Sequence, residues 1–380
     1  MQKKDIGIIV VIVGVLISIF FVNHSLSKKS TSQVSTDREQ KEVKYKEASW
    51  YEQLANGTVR CNLCPNRCTL GEGQRGICNV RQNIGGKLYS LVYGNPVSIA
   101  VDPIEKKPLF HFLPGSKAYS LATAGCNLDC KYCQNWDIAH RMPEELQNTP
   151  MTPEEVVQNA LNSNAEIIAF TYNEPTVWYE YMLDIAKKAK ENNLRTVAIS
   201  SGYINQEPLK ELLPYLDAYK VDLKSFNEET YETLMNGQLE PVLNTIKTIS
   251  ETDTWLELVY LVVPTYTDNL GEIKEMCEWI KDNVGDEVPL HFSRFWPQYK
   301  LTNLPPTPEE SLKSARKTCQ DVGLKYVYVG NIQYIEGGTT YCPSNEEAVI
   351  VRDGYFIKEN LVNAEGIAEG CDETIPGVWK

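Results

Sequence analysis

Ala118-Tyr-Ser-Leu-Ala-Thr-Ala124, followed without a break by Gly125-Cys-Asn-Leu-Asp-Cys-Lys-Tyr-Cys133, is a short β-prone run that ends on a loop carrying three thiols. A run of that length, closed by glycine, reads as a strand. Similar runs recur at 166–172, 195–200, 218–223, 255–263, 290–295 and 325–330, with helical segments between them. Strands alternating with helices are the pattern of βα repeats and a parallel sheet. Six strands plus a terminal one predict a partial (β/α)6-type barrel, whose functional groups gather at the C-terminal ends of the strands. Two helices are expected to open on capping boxes, at Thr152-Pro-Glu-Glu155 and Thr307-Pro-Glu-Glu310.

Most of the eleven cysteines fall into two tight runs, a spacing that suits metal ligation more than a spread disulfide scaffold. Cys126, Cys130 and Cys133 suffice for three irons of a cubane and leave the fourth open, because no fourth cysteine stands at ligand spacing and Gln134 follows the last thiol. A zinc loop is the plainer alternative. Cys61, Cys64, Cys68 and Cys78 supply a second metal site, for which zinc and an auxiliary iron-sulfur cluster fit equally. Cys277 and Cys319 share helical faces with Met276 and Leu312, and read as core thiols without a chemical role.

The apolar content of 42% supports a substantial core, and a net charge of −13 excludes a protein whose work is gripping nucleic-acid phosphates. Residues 6–22 are apolar apart from Gly7, Gly14 and Ser18, and lie between Lys3, Lys4 and Lys28, Lys29. Such a run spans roughly 26 Å as a helix, so 1–22 is expected to be a single transmembrane anchor; a signal peptide cleaved near Ser25 or Ser27 is the alternative. Residues 23–48 are polar and read as a disordered linker. A Cys-rich metal-binding module over 49–116, the barrel over 117–335 and a tail over 336–380 complete the expected organisation. The fold class is therefore α/β, a partial barrel with an N-terminal Cys-rich module and a single N-terminal transmembrane helix.

Strand alternation places further groups. In Val221-Asp-Leu-Lys224 the apolar pair must face the covering helices, which turns Asp222 and Lys224 into the lumen. The same parity places His291, Ser293 and Ser200 on the lumen side. Asp222 and Lys224 suit either a mutual ion pair or contact with a polar ligand, and His291 either a ligand contact or a satisfied core histidine.

At the end of a first strand in a βα domain, the three-cysteine loop resembles the radical S-adenosylmethionine (SAM) superfamily. Over roughly residues 58–380 the chain resembles the radical SAM member of the AmmeMemoRadiSam system, a group related to the activating enzyme of pyruvate formate-lyase. The resemblance rests on Cys61-Asn-Leu-Cys-Pro65, Gly76-Ile-Cys78, the loop from Gly125 to Trp136, and Phe170-Thr-Tyr-Asn-Glu-Pro175. It continues in Asp222-Leu-Lys224, Pro289-Leu-His-Phe-Ser-Arg-Phe295 and Tyr328-Val-Gly-Asn331.

The resemblance implies a [4Fe-4S] cluster on Cys126, Cys130 and Cys133, with SAM chelating the open iron. One electron then cleaves SAM to methionine and a 5′-deoxyadenosyl radical, which abstracts hydrogen from a protein or small-molecule substrate. Tyr132 would lie against adenine, and Asn173 and Glu174 would contact the SAM amino group, although the glycines of the usual Gly-Gly-Glu motif are absent. Ser200, Asp222, Lys224 and His291 complete the expected SAM or substrate contacts. Two other departures stand out: Ser200-Ser-Gly202 replaces the usual Thr-Asn-Gly, and Asn345 and Ala368 break the paired cysteine knuckles of the tail, leaving Cys342 and Cys371. The expected partners are a low-potential donor of flavodoxin or ferredoxin type, a protein substrate and the membrane, with no nucleic acid. Because SAM and low-potential electrons are cytosolic, the expected location is a single-pass membrane protein with its catalytic domain in the cytoplasm. The competing readings are a glycyl-radical-enzyme activase and a membrane-bound iron-sulfur electron-transfer protein.

Overall fold

Each of the seven runs forms a strand of one eight-stranded sheet, and the eighth strand comes from the segment before them. The strands are β1 (Ser98–Pro103), β2 (Lys117–Ala122), β3 (Ile167–Phe170), β4 (Arg195–Ser200), β5 (Ala218–Asp222), β6 (Trp255–Val262), β7 (Leu290–Arg294) and β8 (Val327–Gly330). They lie in chain order, β2 to β8 all parallel and β1 antiparallel against β2. Because β1 and β8 end the order at opposite edges, the barrel is open. The crossovers carry helices α1 (Pro153–Asn162), α2 (Tyr179–Glu191), α3 (Gln206–Leu212), α4 (Leu239–Ser250), α5 (Leu270–Asn283) and α6 (Glu309–Val322).

The sheet is apolar on both faces, as expected for strands covered by crossover helices. Ile168, Phe170, Ala198, Tyr219 and Val221 join the main core with the helices, while Ala118, Ile167, Ala169, Val197 and Ala218 pack on Ile104, Leu109 and Phe112. Residues 104–112 thus plug one end of the barrel. The plug is clamped by Glu257 of β6, a fully buried carboxylate that accepts from the Phe110 and His111 N–H groups at 3.0 and 2.8 Å, from Trp255 Nε1 at 3.0 Å and from His291 Nε2 at 2.7 Å.

The structure, a computed structural model, describes residues 45–380, which form one compact unit. The expected membrane helix at 6–22 lies outside the described residues, and among the described residues no helix is long and apolar enough to cross a membrane. The fold class is corrected accordingly to an open α/β barrel with a Cys-rich module, in which no helix among the described residues is able to cross a membrane, and the single-pass membrane location is withdrawn with it. The last residues of the expected linker are ordered, since Lys46–Glu47 pairs with Lys87–Ser90. The expected boundary at 116 falls inside the sheet, because β1 precedes it and pairs with β2 after it.

Thr152 caps α1 as predicted, with reciprocal bonds to the backbone and side chain of Glu155. Thr307 does not cap α6. Its hydroxyl accepts from the Phe295 N–H at 2.8 Å and donates to the Val262 carbonyl, so it joins the ends of β6 and β7. Cys277 of α5 and Cys319 of α6, expected as free core thiols, are joined as a disulfide, and Cys342 is joined to Cys371 in the tail.

Candidate active site

One cavity of about 1310 Å³ opens along the C-terminal ends of the strands. Cys126, Cys130 and Cys133 form part of its wall, with Tyr132, Asn173, Glu174, Asp222, Lys224 and His291. Ser200 does not line it; Ser201 does.

Gly125 sets the cysteine loop in place. Its φ is 96°, and a Cβ there would stand 2.7 Å from the Cys78 carbonyl and from Val80, so only glycine fits. Asn127 reinforces the seat by donating to the Tyr203 carbonyl at 2.7 Å and accepting through its own carbonyl from Asn66 at 2.7 Å. Burial pushes all three thiols up, Cys130 to about 12, while the Lys224 ammonium opposes the rise at Cys130 and Cys133. Buried thiols of this kind ionise against a cation, and three of them on one cavity wall fit the cubane that the sequence implies. Among the described residues no three His, Cys, Asp or Glu side chains converge tightly enough for a single metal ion.

Glu174 lies at the end of β3 and is buried. Its carboxylate accepts from Ser200 Oγ at 2.7 Å, Thr176 N–H at 3.0 Å, and Ser201 N–H and Oγ both at 2.8 Å. Ser200 therefore positions Glu174 and does not face the cavity. Asn173 binds the Gly125 carbonyl at 2.8 Å and accepts from Trp178 Nε1 at 3.2 Å, which ties the end of β3 to the cysteine loop.

Tyr172 has a φ of 69°, a left-handed conformation costly for an aromatic residue. It stands where the usual motif has its first glycine. The strain is held by the phenol, which donates to Asp102 Oδ2, and by Lys107, whose ammonium lies 4.5 Å from the ring centre. Neither partner was evident in the sequence, because both lie on the β1–plug segment. Asp222 pairs with Lys224 at 3.4 Å and also with Lys220, two positions earlier on the lumen face of β5. His291 is a buried histidine held by Glu257 and stacked on Tyr328, at the cavity floor. Tyr132 is buried with its hydroxyl unpartnered and its ring edge-on to Phe295.

Cys61, Cys64, Cys68 and Cys78 line a separate small cavity of about 20 Å³, together with Arg81 and Asn127. Burial pushes Cys78 up to about 11 and Cys64 further. The module docks through Arg81, which forks onto Glu180 of α2 at 2.9 and 3.0 Å, and through Asn205, which binds the Asn62 and Leu63 carbonyls.

An open parallel barrel with three thiols on the loop after its first parallel strand defines a class of iron-sulfur enzyme, and the comparisons agree with that class. Residues 120–280 match the family described as the radical SAM superfamily. The chain is 45% identical to an uncharacterized protein of Methanocaldococcus jannaschii, over 86% of this chain and 96% of that one. It is 22% identical to pyruvate formate-lyase 1-activating enzyme of Escherichia coli K12, over 54% of this chain and 89% of the relative. The solved structure of Streptococcus suis SuiB bound to S-adenosylmethionine aligns with 62% of this chain and 54% of its own, at 12% identity and a TM-score of 0.46. The chain belongs to the radical SAM superfamily. It is an enzyme whose cofactors are a [4Fe-4S] cluster and SAM, and enzymes of this class draw an electron from a reducing partner.

Proposed function

We propose that this chain binds its cluster through Cys126, Cys130 and Cys133, and binds SAM along the wall formed by Tyr132, Asn173, Glu174, Asp222 and Lys224. The observation that carries the reading is that all of these residues line one cavity. When bound, the cluster supplies one electron and an open iron for the reductive cleavage of SAM. The protein's own groups bind and orient. Glu174 offers a desolvated carboxylate for the SAM ammonium, pre-aligned by Ser200 and Ser201, and Lys224 offers a cation for the carboxylate. His291 contributes to the cavity floor through its bond to Glu257. At 1310 Å³ the cavity exceeds the roughly 300–1,000 Å³ usual for one ligand, which leaves room for a substrate beside SAM. The electron donor in this reading is of flavodoxin or ferredoxin type, and the substrate is a small molecule or a protein segment.

Anaerobic reconstitution with SAM and dithionite tests the activity through release of 5′-deoxyadenosine. Glu174→Gln is expected to keep the cluster spectrum and weaken SAM binding by roughly tenfold or more, the loss of one charge-assisted hydrogen bond. Unchanged SAM affinity would leave Glu174 only the task of holding the Ser200-Ser201 turn.

The four N-terminal cysteines are proposed to hold a second metal. Their support is that all four line one small cavity in a module that buries Val59, Leu63, Leu70 and Val80; holding a single ion requires the thiols to draw closer than they stand here. A variant lacking the Cys61 and Cys64 thiols should lose one metal equivalent, read by elemental analysis, and become protease-sensitive near residues 60–80. Equal metal content and equal protease resistance in variant and parent would mean free thiols.

A further inference from the structure

We propose that Tyr172 is a positioning residue for SAM cleavage: the strained turn centred on it grips the cysteine loop on both sides of its thiols and sets their place relative to Glu174. This rests on the reading of Cys126, Cys130 and Cys133 as the cluster ligands and adds a residue that acts through them.

The Asn173 N–H donates to the Thr171 carbonyl at 2.9 Å, which closes a three-residue γ-turn with Tyr172 at its centre and a φ of 69°. A γ-turn of this hand is rare and strained, and glycine is the residue that adopts it most readily. Two bonds leave from adjacent residues of the turn. The Tyr172 carbonyl accepts from Asn135 Nδ2 at 2.6 Å, and Asn173 Nδ2 donates to the Gly125 carbonyl at 2.8 Å. Gly125 immediately precedes Cys126 and Asn135 follows Cys133 by two positions, so the two grips fall just outside the first and last thiols.

No strand or helix runs through the loop between those grips. Its middle is pinned to another segment, by the Asp129 and Lys131 N–H groups on the Met235 and Leu234 carbonyls at 2.8 and 2.9 Å. The Tyr172 turn is what ties both ends to β3, and Glu174 follows two residues on. The tyrosine side chain holds the turn that its own backbone disfavours. Its phenol donates to Asp102, a buried carboxylate of β1 that also pairs with Lys106 at 2.8 Å and Lys107 at 2.6 Å. The Lys107 ammonium lies 4.5 Å from the ring centre. Glycine would supply the turn without an anchor; tyrosine supplies it fastened to β1. Reacting groups misplaced by about 1 Å lose on the order of 10²-fold in rate, so the anchor bears on the chemistry and not only on the fold.

The test compares the full chain, reconstituted with its cluster, with Tyr172→Phe, Tyr172→Gly, Tyr172→Ala and Asn135→Ala. Each is read three ways: cluster content by visible absorption, the electron paramagnetic resonance signal of the reduced cluster with and without SAM, and 5′-deoxyadenosine formed per cluster. All four variants should assemble the cluster, and the signal change caused by SAM should be smaller or heterogeneous in each. Tyr172→Phe and Asn135→Ala should each lose about threefold to tenfold in rate per cluster, the loss of one aligning hydrogen bond. Tyr172→Ala should lose about a hundredfold, and Tyr172→Gly should stand above it, because glycine takes the turn unaided. A side chain that only fills space gives the opposite order, since glycine removes more of it. If Tyr172→Ala fails to fold, Tyr172→Phe and Asn135→Ala carry the test. Parent rates and parent signals in those two, or a glycine variant no better than the alanine one, would overturn the positioning role while SAM cleavage stands. Failure of Asn135→Ala to assemble the cluster would overturn it as well, by showing that the turn builds the ligand set and does not align it. Wild-type chain unable to hold a cluster or cleave SAM would instead overturn the reading beneath it.

Discussion

Replacing Cys126, Cys130 or Cys133 singly with Ala is expected to abolish formation of 5′-deoxyadenosine. Two thiolates do not hold a cubane with one open iron, so neither the electron nor the SAM-binding iron is supplied. The effect should be complete, not graded, and should be accompanied by loss of the cluster's visible absorption. The fold should survive, because the sheet and its covering helices are held by an apolar core from Ala48 to Val329 in which Cys130 is one member among many and against which Cys126 and Cys133 only pack. Circular dichroism separates the two outcomes. SAM cleavage that persists in any of the three variants would remove the central assignment.

The largest effect on stability is expected at Arg81. Its guanidinium and the Glu180 carboxylate are 2% and 3% exposed, paired at 2.9 and 3.0 Å, and joined to the Ser49 carbonyl and N–H at 2.8 and 2.7 Å. Arg81→Met leaves Glu180 as a buried charge without its cation and should cost about 3–5 kcal/mol, measured by urea unfolding. Adding Glu180→Leu to that variant should recover much of the loss, because the stranded charge is then gone; Ser49 would still lack its partners, so recovery stays incomplete. A single variant as stable as the parent would show that the pair does not hold the module.

What could be read from the sequence follows how locally each feature is determined. Strand parity is local, so Asp222 and Lys224 reach the cavity as predicted. On β4 the alternation holds but was set one residue out of phase: Ser200 stands in register with the helix-facing Val221, while Ile199 and Ser201 on either side of it line the wall. The Thr152 capping box formed because everything it needs lies within one turn. Thr307 carried the same signature, but the ends of β6 and β7 offered its hydroxyl better-placed partners. Lys107 and Asp102 were illegible for another reason. They sit on a segment whose place is fixed by Glu257, some 150 residues away in the chain, and only that clamp brings them under Tyr172.

Gly125 has a bearing on how the molecule could be cut and recombined. Its missing side chain lets the backbone of Cys78 and the Val80 side chain lie directly against the entry to the cluster loop. A barrel excised at residue 117 would lose that backing surface, lose β1 from the sheet edge and strand Glu180 without Arg81. The smallest portable piece of this enzyme is therefore the whole span from Tyr45 onward, and grafting the barrel alone onto another N-terminal segment would transplant the cysteines without the surface that shapes their loop.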